Sequence, residues 1–198
     1  MRQVIIINNT MRIYMLAFIS FFVSTSEYVI AGILDNIAQW SHISLAAAGQ
    51  LITVFAVANA IGSPIINMAT AQLDRRKLMI LALWIVVLES VMTITLPGFG
   101  FLIVSRIVLA IGAGVFVIAA KTIAAKLVAP GKQAGAIGTV ILGFSVALIV
   151  GVPIGRVVAA EFDWKFIFVG IGILSLLAVF TVYRMIPATE GEAAVPLL

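Results

Sequence analysis

Apolar runs long enough to cross a bilayer follow one another along this chain, broken only by short polar stretches. A helix needs about 20 apolar residues to span a hydrocarbon core about 30 Å thick. Six such runs can be placed, at about 12–34, 45–67, 78–97, 99–122, 134–158 and 164–186. The connections hold the turn-forming and charged residues: Asp35 to Ser44, Gln72 to Lys77, Pro97-Gly98, Pro130 to Gln133 and Glu161 to Lys165. None of them has room for a soluble domain. The pattern predicts an all-α membrane protein, a six-transmembrane-helix bundle, preceded by a short segment 1–11 and followed by a disordered tail 188–198. Arg12 before the apolar stretch Ile13 to Val23 resembles the start of a secretory signal. The apolar character continues to Leu34 without an A-x-A site, so the reading is an uncleaved first span.

Composition agrees with lipid as the solvent. Of 198 residues 63% are hydrophobic and 10% charged, against roughly 25% charged in soluble domains. Mean hydropathy is +1.24. Cysteine is absent and His42 is the single histidine, which leaves no material for disulfides, thiolate chemistry or a His-rich metal site. The net charge of +4 does not point to nucleic acid, because the basic residues sit in small clusters between apolar runs. Arg2, Arg12, Arg75, Arg76, Lys77, Lys126, Lys132 and Arg184 fall on one side, with only Arg156 and Lys165 near the other. Cytoplasmic loops are enriched in Lys and Arg, so both termini are predicted cytoplasmic, in a multi-pass protein of the cell (plasma) membrane. Trp40 and His42 then face outside.

Ionisable groups within spans are costly, about 2.5 to 3.5 kcal/mol each on insertion scales, so each is a functional candidate. Glu27, Glu89 and Arg106 are the candidates here. Counted from the outer ends at Leu34, Leu96 and Phe99, each lies seven residues in, about 10 Å at 1.5 Å per residue. Three helices thus bring two carboxylates and one guanidinium to one layer. One acid is left over, and a spare carboxyl group in apolar surroundings is suited to exchanging protons near neutral pH. Each of the three residues also has a structural reading, as a buried partner or, for Glu89, as a residue reaching toward the outer interface.

Small residues recur every four positions on the fifth run, at Gly143, Ala147, Gly151, Gly155 and Ala159. Such a stripe lets helix backbones approach closely, which drives association in lipid. Pro153 within it lacks an N–H and should loosen the helix locally. Asn59, Ser63 and Asn67 form a polar stripe on the second run that would line a cavity or bond a neighbouring helix. Lys121 and Lys126 fit snorkelling at an inner end. Asp74, Arg75, Arg76 and Lys77 read either as a topology anchor or as a cytoplasmic latch. No P-loop, H-E-x-x-H or Ser/His arrangement is present, so neither an enzyme nor a bound cofactor is expected.

Four signatures carry a family resemblance: Glu27-Tyr-Val-Ile-Ala-Gly-Ile-Leu with Ala48-Gly49-Gln50-Leu51, then Leu73-Asp74-Arg75-Arg76-Lys77-Leu78, then Ser105-Arg106-Ile-Val-Leu109-Ala110, and Gly143 with Gly151-Val-Pro153-Ile-Gly155. In this order and on these runs they resemble the N-terminal half of major facilitator superfamily transporters. They are most similar to the arabinose/purine-efflux branch of the proton-coupled antiporters. Ala71 stands where the loop motif usually has aspartate, and Asp74 where it has glycine. The resemblance covers about residues 12 to 187 and implies one six-helix half of such a transporter. It implies proton-coupled efflux of a small molecule, a purine or nucleoside, a sugar or a drug. Glu27 becomes the favoured proton carrier, with Arg106 beside it, because the first and fourth helices line the cavity in this family. Gly143, Gly151, Pro153 and Gly155 become its antiporter motif, and Phe21, Phe22 and Tyr28 could stack on a planar substrate. A path needs two halves, so a homodimer with its axis along the membrane normal, or a separately encoded second half, is the expected partner. The alternatives are a truncated, inactive half-transporter and a non-transporting membrane interaction subunit.

Overall fold

The computed structural model describes residues 2–187, with side chains from residue 9, so the expected tail 188–198 lies outside the described residues. The regular elements among the described residues are all helical: α1 (Arg2–Gly32), α2 (Leu34–Ser41), α3 (Leu45–Ala69), α4 (Arg75–Thr95), α5 (Phe99–Lys126), α6 (Gln133–Val146), a π-helical turn (Ala147–Gly151), α7 (Val152–Glu161) and α8 (Lys165–Met185). Among the described residues six helical stretches are long and apolar enough to cross a membrane: Asn9–Gly32, Leu45–Ala69, Arg75–Thr95, Phe99–Lys126, Gln133–Glu161 and Lys165–Met185.

Two features depart from the sequence reading. The stretch from Asp35 to Ser44, expected as an irregular connection, is mostly the short helix α2. Its Ile37 and Ala38 are buried under the bundle while Asp35 and His42 stay at the surface, a one-sided pattern too short to register in a span-length window. His42 ends it in a left-handed conformation, φ 54°. The second departure is in the fifth span, which is not one continuous α-helix. Pro153 follows the π-helical turn, and within that turn the Val152 N–H donates back five residues to the Ala147 carbonyl. A proline N–H is missing from the ladder just beyond it, so the loosening predicted at Pro153 is taken up one turn earlier as a π bulge.

Side-chain caps fix the starts of α3 and α4. The Ser44 hydroxyl accepts from the Ala47 N–H at 3.1 Å and the Asp74 carboxylate from the Arg76 N–H at 2.8 Å, satisfying first-turn amides that the ladder cannot. Gly98, at φ +98°, makes the tight turn from α4 into α5 in a conformation that side chains rarely adopt.

Helix α5 is the centre of the bundle, packed on α4, α3 and α6, while α4 packs on α8 and α1 on α6 and α7. The small-residue stripe explains the last pairing. Gly143 lies against the Ala17 carbonyl, Gly151 against the Thr25 side chain and Gly155 against Val29. A four-residue repeat drifts round an α-helix of 3.6 residues per turn. The wider π turn rotates less per residue, which keeps Gly143 and Gly155 on the same neighbour. The stripe therefore seats the fifth span on α1 within this bundle. Helices α3 and α6–α7 bury the least of themselves and present Ile52, Val57, Ile61, Leu142, Ile149 and Val157 outward. Lipid solvates such side chains as well as a protein core does.

Candidate proton and substrate site

The charged layer is real in space, but its three members divide two against one. Glu89 on α4 and Arg106 on α5 form a direct ion pair through Oε1 and Nη2. Both side chains are buried, Arg106 at 1% exposure and Glu89 at 0%, so neither can be neutralised by water. The surroundings complete the pair. The Ser26 hydroxyl donates to Glu89 Oε2 at 3.2 Å and the Thr93 hydroxyl to Oε1 at 3.0 Å. Thr93 also lies 3.1 Å from the Ser105 hydroxyl, which itself donates to the Leu102 carbonyl at 2.8 Å. Arg106 Nη1 donates to the Ser26 carbonyl at 3.0 Å, and its guanidinium carbon sits 5.3 Å from the centre of the Phe168 ring on α8. One ion pair thus ties α1, α4, α5 and α8 together with charge-assisted hydrogen bonds, the stronger kind.

Glu27 is not in this network. It lies one residue beyond Ser26 on the next face of α1, half-buried, and opens into a cavity of about 440 Å³. Tyr28 is its hydrogen-bonding neighbour, and among the described residues no cation is ion-paired with it. The cavity is walled by Glu27, Tyr28 and Ala31 of α1, by Leu51, Phe55 and Asn59 among others of α3, and by Arg106 of α5. Aromatic faces, an amide and an uncommitted carboxylate therefore meet beside a guanidinium that another acid already holds. Sequence counting put both acids at one depth but could not say which was spare.

The other sequence candidates sort as follows. Tyr28 lines this cavity, whereas Phe21 and Phe22 line an apolar groove between α1, α7 and α8. Asn59 reaches the cavity and accepts from the Ser63 hydroxyl, while the Asn67 amide donates to the Ser63 carbonyl at 2.6 Å; Gly114 of α5 packs against this stripe. Arg75 is buried at the start of α4. Arg76 donates to the Tyr183 carbonyl near the end of α8 and stacks over the Tyr183 ring at 4.8 Å, so this part of the basic loop is used inside the bundle. At the opposite end Lys165 lies 4.7 Å from the Trp40 ring. Ser26, Thr93 and Phe168 were not singled out from sequence, and Ser105 was named only as part of the Arg106 motif. Thr93 had a readable signal, four residues from Glu89 on one helix face; the contribution of Phe168 depends on how α8 is rotated, which no spacing shows.

Comparison with known proteins agrees with this architecture. Residues 16–197 match the Major Facilitator Superfamily. An uncharacterized MFS-type transporter of Bacillus subtilis (strain 168), YbcL, is 50% identical over 191 residues, covering 96% of this chain and 49% of that protein. The chain thus spans about half the length of this curated relative. Among solved structures, a peptide transporter POT (E310Q mutant) in complex with alafosfalin superposes with a TM-score of 0.77 at 13% identity, over 93% of this chain and 41% of that one. The proton:xylose symporter XylE gives 0.72 at 16% identity, over 92% and 45%. At such identities the likeness is one of fold.

Proposed function

The chain belongs to the major facilitator superfamily, and from that premise we propose that its six-helix bundle supplies the proton-handling half of a small-molecule transporter, with Glu27 as the proton carrier. The observation that carries this reading is the division of the acids: Glu89 is committed to Arg106, Ser26 and Thr93, and Glu27 faces the cavity with no ion-pair partner among the described residues. Arg106 sits in the same cavity wall, where it can meet an anionic group of the substrate. Glu89 then acts as the fixed counter-ion that keeps this guanidinium in place.

Three helices wall the cavity from one side, so a second six-helix bundle is needed to close it. A second copy of this chain or a further chain would supply it, with both bundles inserted in the same sense. The basic ends of α4, α6 and α8 and the start of α1 set that sense, Lys and Arg inside. Tyr28, Phe55 and Asn59 favour a planar, hydrogen-bonding solute, which makes proton-coupled efflux of a purine or nucleoside the leading assignment, in keeping with the resemblance to the purine-efflux branch.

The test is flux in proteoliposomes containing the assembled transporter. An inward proton gradient should drive purine movement by the native protein. Glu27→Gln should abolish gradient-driven flux while leaving purine-for-purine exchange, because exchange needs the cavity but no proton transfer. Full gradient-driven flux in Glu27→Gln would overturn the assignment of the proton carrier.

A further inference from the structure

On the side of α1 away from the cavity, a long groove runs between α1 and the fifth span. At its basic end Thr10, Tyr14, Lys132 and Thr139 line it among apolar neighbours such as Ile13 and Val128, a cavity of about 410 Å³. Tyr14 and Thr139 also line the next stretch, of about 390 Å³, which continues with Phe18, Phe21, Leu142, Val146 and Val150 and is almost wholly apolar. From Gly135 to Val150 this covers about 22 Å of helix at 1.5 Å per residue, enough for one leaflet of a core about 30 Å thick. Tyr14, Phe18 and Leu142 are exposed along it.

From this geometry we infer that the groove binds an anionic phospholipid, its headgroup at Lys132 and one acyl chain laid along Phe18, Phe21, Leu142 and Val146. Charge selects the headgroup. Lys132 lines the groove itself, and Lys121 and Lys126 stand on the other face of α6, beside Gln133. The one acidic residue at this end of the bundle among the described residues is Asp74, which caps α4 on the other side. A basic pocket between transmembrane helices at this level suits a lipid phosphate. Position selects lipid over a second bundle. Phe18 stands nine residues before Glu27, about two and a half turns, so the groove faces the opposite way from the cavity that a second bundle would close. This inference concerns a surface apart from the proton site and holds whichever solute is carried.

Native mass spectrometry of the full chain released from mixed micelles tests it, with phosphatidylglycerol and phosphatidylcholine offered in equal amounts. The native protein should retain phosphatidylglycerol preferentially, and Lys132→Gln should lower that preference about fivefold. Gly135→Leu should reduce retention of both lipids. A Cβ at Gly135 meets no atom within 4 Å, so the variant keeps its fold while filling the groove. Equal retention of the two lipids by the native protein, or unchanged retention in Lys132→Gln or Gly135→Leu, would overturn the inference. Loss of lipid only when a second bundle assembles would overturn it too, because the groove would then be an interface.

Discussion

Replacing Glu89 by alanine strands a guanidinium in the middle of the bundle. Arg106 is 1% exposed, and the variant leaves it only the Ser26 carbonyl and the face of Phe168. Removing one member of a buried pair costs about 3–5 kcal/mol, because the remaining charge is uncompensated. The insertion cost of an unpaired Arg, about 2.5–3.5 kcal/mol, gives the same scale from a different measurement. Ser26 and Thr93 lose an acceptor as well, but hydroxyls on helices can turn back to a carbonyl one turn earlier, so their share is small. Glu89→Gln also leaves the guanidinium without a counter-charge but keeps an acceptor for it, so its cost should fall below that of alanine by about 1 kcal/mol, the worth of the retained hydrogen bond. The double change Glu89→Leu with Arg106→Met removes both charges and should lie within about 1 kcal/mol of the native protein. Reversible unfolding in sodium dodecyl sulfate, followed by tryptophan fluorescence, reads all three variants against the native protein, since Trp164 packs on Phe168 at 5.9 Å. A cost below about 1 kcal/mol for Glu89→Ala, or a double variant as unstable as Glu89→Leu and Arg106→Met added together, would refute the structural role of the pair.

Two further outcomes follow from the packing. Gly143→Ala drives a Cβ into the Ala17 carbonyl, a backbone atom that cannot turn aside, and should destabilise by about 1–3 kcal/mol; Gly138→Ala, five residues earlier on α6 with nothing within 4 Å, should instead stabilise by about 0.5–1 kcal/mol, both read by the same unfolding assay. Arg76→Ala removes the bond to the Tyr183 carbonyl and the stacking on its ring, so amide exchange over the last turn of α8 should quicken while that of α5 stays unchanged; equal exchange in both proteins would show that the loop arginine does not hold α8.

The spans were legible because lipid imposes a length and an apolar composition that the chain repeats six times. Depth was legible too: counting from the helix ends put Glu27, Glu89 and Arg106 in one layer, and two of them do meet. Azimuth was not. Whether Glu27 or Glu89 faces Arg106 depends on how α1 and α4 are rotated against α5, and that rotation is set by contacts such as Gly112 of α5 against Ile85 of α4. The stripe at Gly143, Gly151 and Gly155 announced a close helix contact without naming its partner, which is α1. Helix α2 was hidden because eight residues with two buried positions make a weak periodic signal beside runs of twenty or more. The loosening at Pro153 was foreseeable from the missing N–H; its form as a π turn required knowing that the flanking glycines had to keep facing α1.

The proposed mechanism rests on Glu27 being the uncommitted carboxyl group and Glu89 the one held by Arg106. Carbodiimide modification measures this most directly, since the reagent couples to carboxyl groups that can take up a proton within an apolar setting, and peptide mass mapping locates the adduct. Treated in detergent across a range of pH, the native protein should carry the adduct on Glu27 and none on Glu89, and Arg106→Met should make Glu89 reactive as well. An adduct on Glu89 in the native protein, with Glu27 untouched, would contradict the account.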